Sequence, residues 1–230
     1  ESCQCLLILL GNFAPTGVKL LDFIEYGGDS TYENGDALIA NPTVREADMI
    51  FAVGGGRACD TGKYVADKLD KPLFTFPTVA SNCASVTAIS VIYNPDGSFR
   101  EYYYPKLANH CFINSAVIAD SPEQLLWAGI GDALSKEYEA VFSSKDDTLS
   151  HTPLMGKQIS RICTDPLIEY GAEALESIRE KKASFALVFS SPMLPVPTVN
   201  GTILNDGDIF DYNKVVGKRT TERGYGPAPS

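Results

Sequence analysis

The sequence predicts an α/β protein: a Rossmann-like parallel sheet domain followed by the start of an all-helical domain. Three observations carry this. From Asp48 the stretch DMIFAVGGG is a compact apolar run that ends in glycines, the form of a buried parallel strand followed by a tight turn. RACDTGKYVADKLDK then repeats apolar residues at helical spacing, and PLFTFPT at residues 72–78 returns to strand, which makes a right-handed βαβ unit. From Asp120 the pattern changes to successive helix starts.

Taken in order, LLDFI at residues 20–24 is expected as a further strand. The turn-rich YGGDSTYENGD and a helix through ANPTVREA follow it. In the helix after the glycines, Ala58, Gly62, Val65 and Leu69 form the inner stripe, and Asp60, Lys63, Asp67 and Lys68 fill the opposite side. ISVIY and SFREYYY flank NPDG, so residues 89–104 are expected as a β-hairpin, with HCFINS as one more strand. Ser121, Pro122 and Gln124 supply a cap serine, a proline at the first helical position and a capping-box glutamine. Helices are expected from Pro122 to Trp127, Ile130 to Ser143, Pro153 to Thr164 and Pro166 to Lys182. The last buries Leu167, Ile168, Leu175 and Ile178. Beyond Ala186 prolines interrupt any period, so loops, at most one short strand and a disordered end are expected. The domain plan is therefore 1–120, an N-terminally incomplete α/β domain; 121–186, a partial helical domain; and 187–230, an irregular tail.

Composition narrows the function classes. The chain has 230 residues and a net charge of -10 without clustered Lys or Arg, which excludes a phosphate-backbone partner such as nucleic acid. The longest apolar run, Cys5 to Leu10, is too short for a membrane span. The first residues have neither a positive n-region nor a cleavage site, so no secretory signal is expected. The six cysteines (Cys3, Cys5, Cys59, Cys83, Cys111, Cys163) are scattered, as suits a reducing cytoplasm. The chain starts without Met, which reads as processing or as a fragment.

Two stretches fall at the carboxyl edge of the predicted sheet, where open α/β sheets bind ligands. VGGGRACDTGK, residues 53–63, places three glycines where a strand meets a helix; backbone without Cβ atoms approaches a ligand closely, and the helix start offers unpaired amides to a pyrophosphate. Glycine at such a turn is equally a packing device. PTVASNCASVTAISVIY, residues 77–93, offers Thr78, Ser81, Asn82 and Thr87 as hydrogen-bonding groups, or is a polar loop without a ligand. Cys83 has no histidine near it in sequence and reads as an ordinary thiol. A third stretch, GIGDALSKEYE at residues 129–139, puts Asp132 inside a helix start as a metal-ligand candidate, and a protein-held metal needs three or four donors.

VGGGRACDTGK, PTVASNCA, SVIYNPDG and AGIGDAL, in this order, resemble the glycerol dehydrogenase group of the iron-containing alcohol dehydrogenase superfamily over roughly residues 20–186. The resemblance implies oxidation of a small alcohol or polyol with NAD and a divalent metal, Zn or Fe, hydride passing from the alcohol to NAD. It puts Gly54, Gly55, Gly56, Arg57 and Ala58 at the pyrophosphate and Thr78, Val79, Ala80, Ser81, Thr87, Ile89 and Tyr93 on the nicotinamide side. Asp132 matches the family's metal-binding aspartate, and Cys83 stands where glycerol dehydrogenases have an aspartate that contacts substrate. The family's two metal histidines lie beyond the region of similarity, while this chain has only His110 and His151. The partners of Asp132 are thus expected outside the chain, and with the family's first strand missing NAD is expected to bind weakly. The alternative is a catalytically inactive fragment or pseudoenzyme that keeps residual nucleotide binding or a subunit-interaction role. Helical faces left without partners predict self-association, and a homo-oligomer is left open.

Overall fold

A computed structural model describes residues 17–145 and 148–190. Its centre is a parallel sheet in which β1 (Ile50–Gly54) pairs with β2 (Leu73–Pro77), from Ile50↔Leu73 to Gly54↔Pro77. A short β5 (His110–Cys111) joins the far side of β2, also parallel, with Phe74 opposite His110. Helix α3 (Gly56–Leu69) makes the crossover from β1 to β2, as the period change from two to near four requires. It covers one sheet face, where Ala52, Ala66 and Leu73 form a buried cluster. Gly62 is what lets helix and strand approach: a Cβ there would run into the Cβ of Ala52. The other face carries aromatic rings, with Phe51 5.5 Å from Phe74 and 5.3 Å from Phe76, and Phe76 stacked on Phe112 at 5.0 Å.

β3 (Ser90–Tyr93) and β4 (Phe99–Tyr103) form the antiparallel hairpin expected around NPDG. Asn94 N–H donates to the Ser98 carbonyl at 2.8 Å, and Gly97 takes the left-handed φ of 82° that the turn demands. The helical part comprises α4 (Ser115–Asp120), α5 (Glu123–Ser143), α6 (His151–Ile159), a 3-10 turn (Ser160–Cys163), α7 (Thr164–Arg179) and α8 (Phe185–Phe189). Leu126, Ile130, Ala133, Leu167, Ile178 and Leu187 form its core. Glu123 ties α5 to α7: it accepts from the Trp127 indole at 3.1 Å and pairs with Arg179 at 2.8 Å. Among the described residues no helix is long and apolar enough to cross a membrane.

Several elements differ from expectation, each for a local reason. Residues 20–24 are not a strand; Leu20, Leu21, Phe23 and Ile24 are exposed, and no strand among the described residues pairs with them. YENGD is no turn but the start of α1 (Tyr32–Ala40), because the Thr31 side chain accepts from Asn34 N–H at 3.1 Å. Its Gly35 is buried against the Tyr64 ring, so this glycine serves packing. The helix through ANPTVREA is only α2 (Pro42–Glu46). Ser121 closes α4, its hydroxyl donating to the Ile118 carbonyl at 2.7 Å, and Pro122 precedes an α5 that runs unbroken through Gly129. α6 starts at His151 rather than Pro153 and stops at Ile159, and α7 starts at Thr164 and ends at Arg179. Ile168 is 77% exposed; Gly171, Ala174 and Ser177 share the buried face with Leu167 and Ile178. The tail expected from residue 187 begins inside α8, while residues 191–230, like residues 1–16, lie outside the described residues.

The most consequential difference is in α3. Asp60 and Lys63, expected on a solvated face, are buried, Asp67 is half-buried, and only Lys68 of the four charges is exposed.

Gly62→Ala is expected to lower the unfolding free energy by about 1–3 kcal/mol, the cost of overpacking against Ala52. An exposed helical glycine would instead gain about 1 kcal/mol from the same change. Urea denaturation separates the two signs.

Candidate functional site

β1 delivers its last residue to the carboxyl edge of the sheet, and the chain must turn there into α3. Gly54 makes the turn at φ 146°, a conformation that side chains rarely adopt, and its added Cβ would lie 2.7 Å from that of Ala58. Gly55 caps α3 without any side-chain hydrogen bond, so no side chain competes for the amides of the first turn. The first helical bond runs from Cys59 N–H to the Gly55 carbonyl. These amides and the helix dipole offer partial positive charge at the sheet edge.

The loop after β2 lies against this turn. Thr78 N–H donates to the Gly54 carbonyl at 3.1 Å. The Asn82 amide sits where a Gly56 Cβ would be, 2.5 Å from its ideal position, and Val79 is 3.4 Å from that of Gly55. Asn82 is fixed by accepting from Ala84 N–H at 3.0 Å and donating to Ser81 Oγ at 3.3 Å. Ala80 is fully buried and packs in the helical core, so the position seats the loop. Arg57 leaves the helix start toward the Tyr93 ring, 5.3 Å from its centroid, and pairs with Asp29 at 3.2 Å. Tyr93 N–H in turn donates to the Ser30 carbonyl at 2.8 Å.

Beneath the turn lies a buried ion pair that the sequence pattern conceals. Lys63 and Asp60 are 2.9 Å apart. The Lys63 ammonium also donates to the Thr87 carbonyl at 3.2 Å, to Thr87 Oγ1 at 3.5 Å and to the Ile89 carbonyl. Asp60 accepts from Val91 N–H at 3.1 Å. Burial pushes the Asp60 carboxyl up, against the pull of Lys63. Thr87 and Ile89 are thus both buried and engaged from below.

Cys83 opens the 3-10 turn Ala84–Val86. Burial, and next the carboxylate of Asp132, push its thiol up to about 12, which keeps the proton on sulfur at neutral pH. The loop after β2 and helix α5 converge, with Ala80 in the same buried cluster as Leu126, Ile130 and Ala133. Asp132 itself faces Lys136 one turn on, with Nζ 3.0 Å from Oδ1, and Lys136 reaches Glu139 at 3.4 Å. Burial lowers the Lys136 pKa, but these carboxylates outweigh it and hold the ammonium above the usual lysine range. His110 is exposed on β5, stacked 6.0 Å from Phe74, and His151 is exposed at the start of α6. Among the described residues no three His, Cys, Asp or Glu side chains are grouped to hold a metal ion, so the donors present do not fit one.

Asp60, Lys63 and Lys136 take part in this region without having stood out as site residues. The available signal was the one-turn spacing of opposite charges, Asp60 to Lys63 and Asp132 to Lys136, at helix positions beside the glycine and GIGDAL motifs.

The chain is similar to known proteins across this region. The family described as iron-containing alcohol dehydrogenase matches residues 8–121. Glycerol dehydrogenase of Thermotoga maritima is 35% identical over 167 residues, 70% of this chain and 46% of that protein. Glycerol dehydrogenase 1 of Schizosaccharomyces pombe is 33% identical over 178 residues, 75% of this chain and 39% of that protein. The crystal structure of glycerol dehydrogenase from Schizosaccharomyces pombe superposes with a TM-score of 0.74 at 29% identity, covering 86% of this chain and 51% of that one. The chain spans about half the length of the curated relatives it matches. On these likenesses the chain belongs to the iron-containing alcohol dehydrogenases, in the group of the glycerol dehydrogenases.

Proposed function

We propose that this chain carries the NAD-binding part of an oxidoreductase acting on a small alcohol or polyol. One observation supports this above the others: an uncapped helix start behind a glycine turn with φ 146° at Gly54, at the carboxyl edge of a parallel sheet. In this reading the amides of Gly56, Arg57 and Ala58 take the pyrophosphate, and Gly54 and Gly55 leave room for it. Thr78, Val79 and Ser81 line the nicotinamide side with Tyr93, while Ala80, Thr87 and Ile89 hold that wall from within. NAD, when bound, supplies the carbon that accepts a hydride from the alcohol. The chain's part is to orient the dinucleotide and keep water from its nicotinamide face.

Cys83 is proposed to face the substrate. Its neutral thiol offers shape and a weak donor, and it is no base at neutral pH. Asp132 is a proposed metal ligand only if further donors come from beyond the described residues, since its charge is met by Lys136 here. Zinc or iron therefore has no step in this reading.

Calorimetric titration of the full chain with NAD tests the assignment. Saturable binding is expected, weaker than about 1 μM, and Gly56→Val is expected to weaken it at least about tenfold, or 1.4 kcal/mol. No saturation up to about 10 mM NAD would overturn the reading.

Metal analysis of the purified chain is expected to find far less than one zinc or iron per chain, unchanged in Asp132→Asn. Tightly held stoichiometric metal that disappears in Asp132→Asn would restore Asp132 as a ligand.

A further inference from the structure

We propose that Lys63 is a positioning residue for the nicotinamide side of the dinucleotide site, acting through the backbone of residues 87–91. The inference rests on the NAD-binding reading above and adds a residue to it. Lys63 has a fully buried side chain, so its ammonium is held where water cannot solvate it. An apolar residue of similar size would avoid that cost, and replacing a buried ion pair by apolar groups is often neutral or stabilising. Core packing alone therefore does not account for a charge at this place.

Its contacts supply a reason. A lysine ammonium has three protons, and Lys63 donates to the Thr87 carbonyl, to Thr87 Oγ1 and to the Ile89 carbonyl, with the Asp60 carboxylate 2.9 Å away as its counter-charge. Asp60 completes the clasp: its carboxylate accepts from Val91 N–H at 3.1 Å, and its carbonyl accepts from Ser90 Oγ at 3.1 Å. Thr87, Ile89, Ser90 and Val91 are thus fixed to one turn of α3. These residues lead from the 3-10 turn into β3, and Tyr93, two residues on, stacks under Arg57 at the start of the same helix. Helix α3 grips both the glycine turn and the wall opposite it. Removing the ammonium leaves the glycine turn, which depends on β1 and the helix start, and frees the wall.

That asymmetry is the test, because a merely structural role would weaken all ligands alike. Lys63→Met in the full chain is titrated with NAD and with ADP-ribose, which has the pyrophosphate and lacks nicotinamide. Wild type is expected to bind NAD more tightly than ADP-ribose. The variant is expected to lose at least about fivefold in NAD affinity, with ADP-ribose within about twofold of wild type. Hydrogen exchange is expected to quicken at amides 88–92 and stay unchanged in β1 and β2. Equal losses for both ligands, or NAD binding within about twofold of wild type, would overturn the proposal. If wild type binds neither ligand, the NAD-binding reading fails, and exchange confined to 88–92 still decides whether Lys63 holds this wall. Should Lys63→Met not fold, Asp60→Asn, which keeps the shape and removes the counter-charge, is read on the same two ligands.

Discussion

A single buried charge pair organises the described part of this molecule. Helix α3 has to meet three neighbours at once: β1 through Gly62, helix α1 through Tyr64 over Gly35, and residues 87–91 through Lys63. The first two are matters of shape and tolerate no extra methyl group. The third is a matter of charge. The backbone entering β3 is irregular, and its carbonyls at Thr87 and Ile89 need donors away from water, which the ammonium supplies. Asp60 keeps that ammonium neutralised in a place where an isolated cation would be far too costly. Geometry at the sheet edge, and with it any ligand surface there, follows from where α3 is held.

The parallel core was legible in the sequence because its determinants are local. An apolar run ending in glycines, a helical period and a second apolar run leave few alternatives to β1, α3 and β2, and the NPDG turn fixed the hairpin. What stayed hidden depends on neighbours far along the chain. Asp60 and Lys63 sit at spacings that suit a solvated face, and nothing nearby in sequence announces the carbonyls of residues 87 and 89. Gly35 looked like a turn residue because the ring it faces, Tyr64, comes almost thirty residues later. Ser121 has the chemistry of an N-cap, yet the helix before it uses its hydroxyl.

The region around Asp132 shows the same division. The resemblance to the family singled out Asp132, which lies within α5. The immediate partner of the carboxylate did not follow from it. Lys136 stands one helical turn away, mostly shielded from solvent, and gives the aspartate a cation of the chain's own. The local sequence, with a lysine one turn on, decides what balances its charge.

The indole of Trp127 has an unforeseen use. It is the one tryptophan in the sequence, about half exposed, and its N–H is bound to the same Glu123 that Arg179 clasps from α7. Emission excited selectively in this chromophore therefore arises at the contact between α5 and α7, far along the chain from the glycine turn. Optical melting followed there and ellipticity followed over the whole backbone watch different parts of the chain, and any gap between their midpoints measures how loosely the helical part is coupled to the sheet.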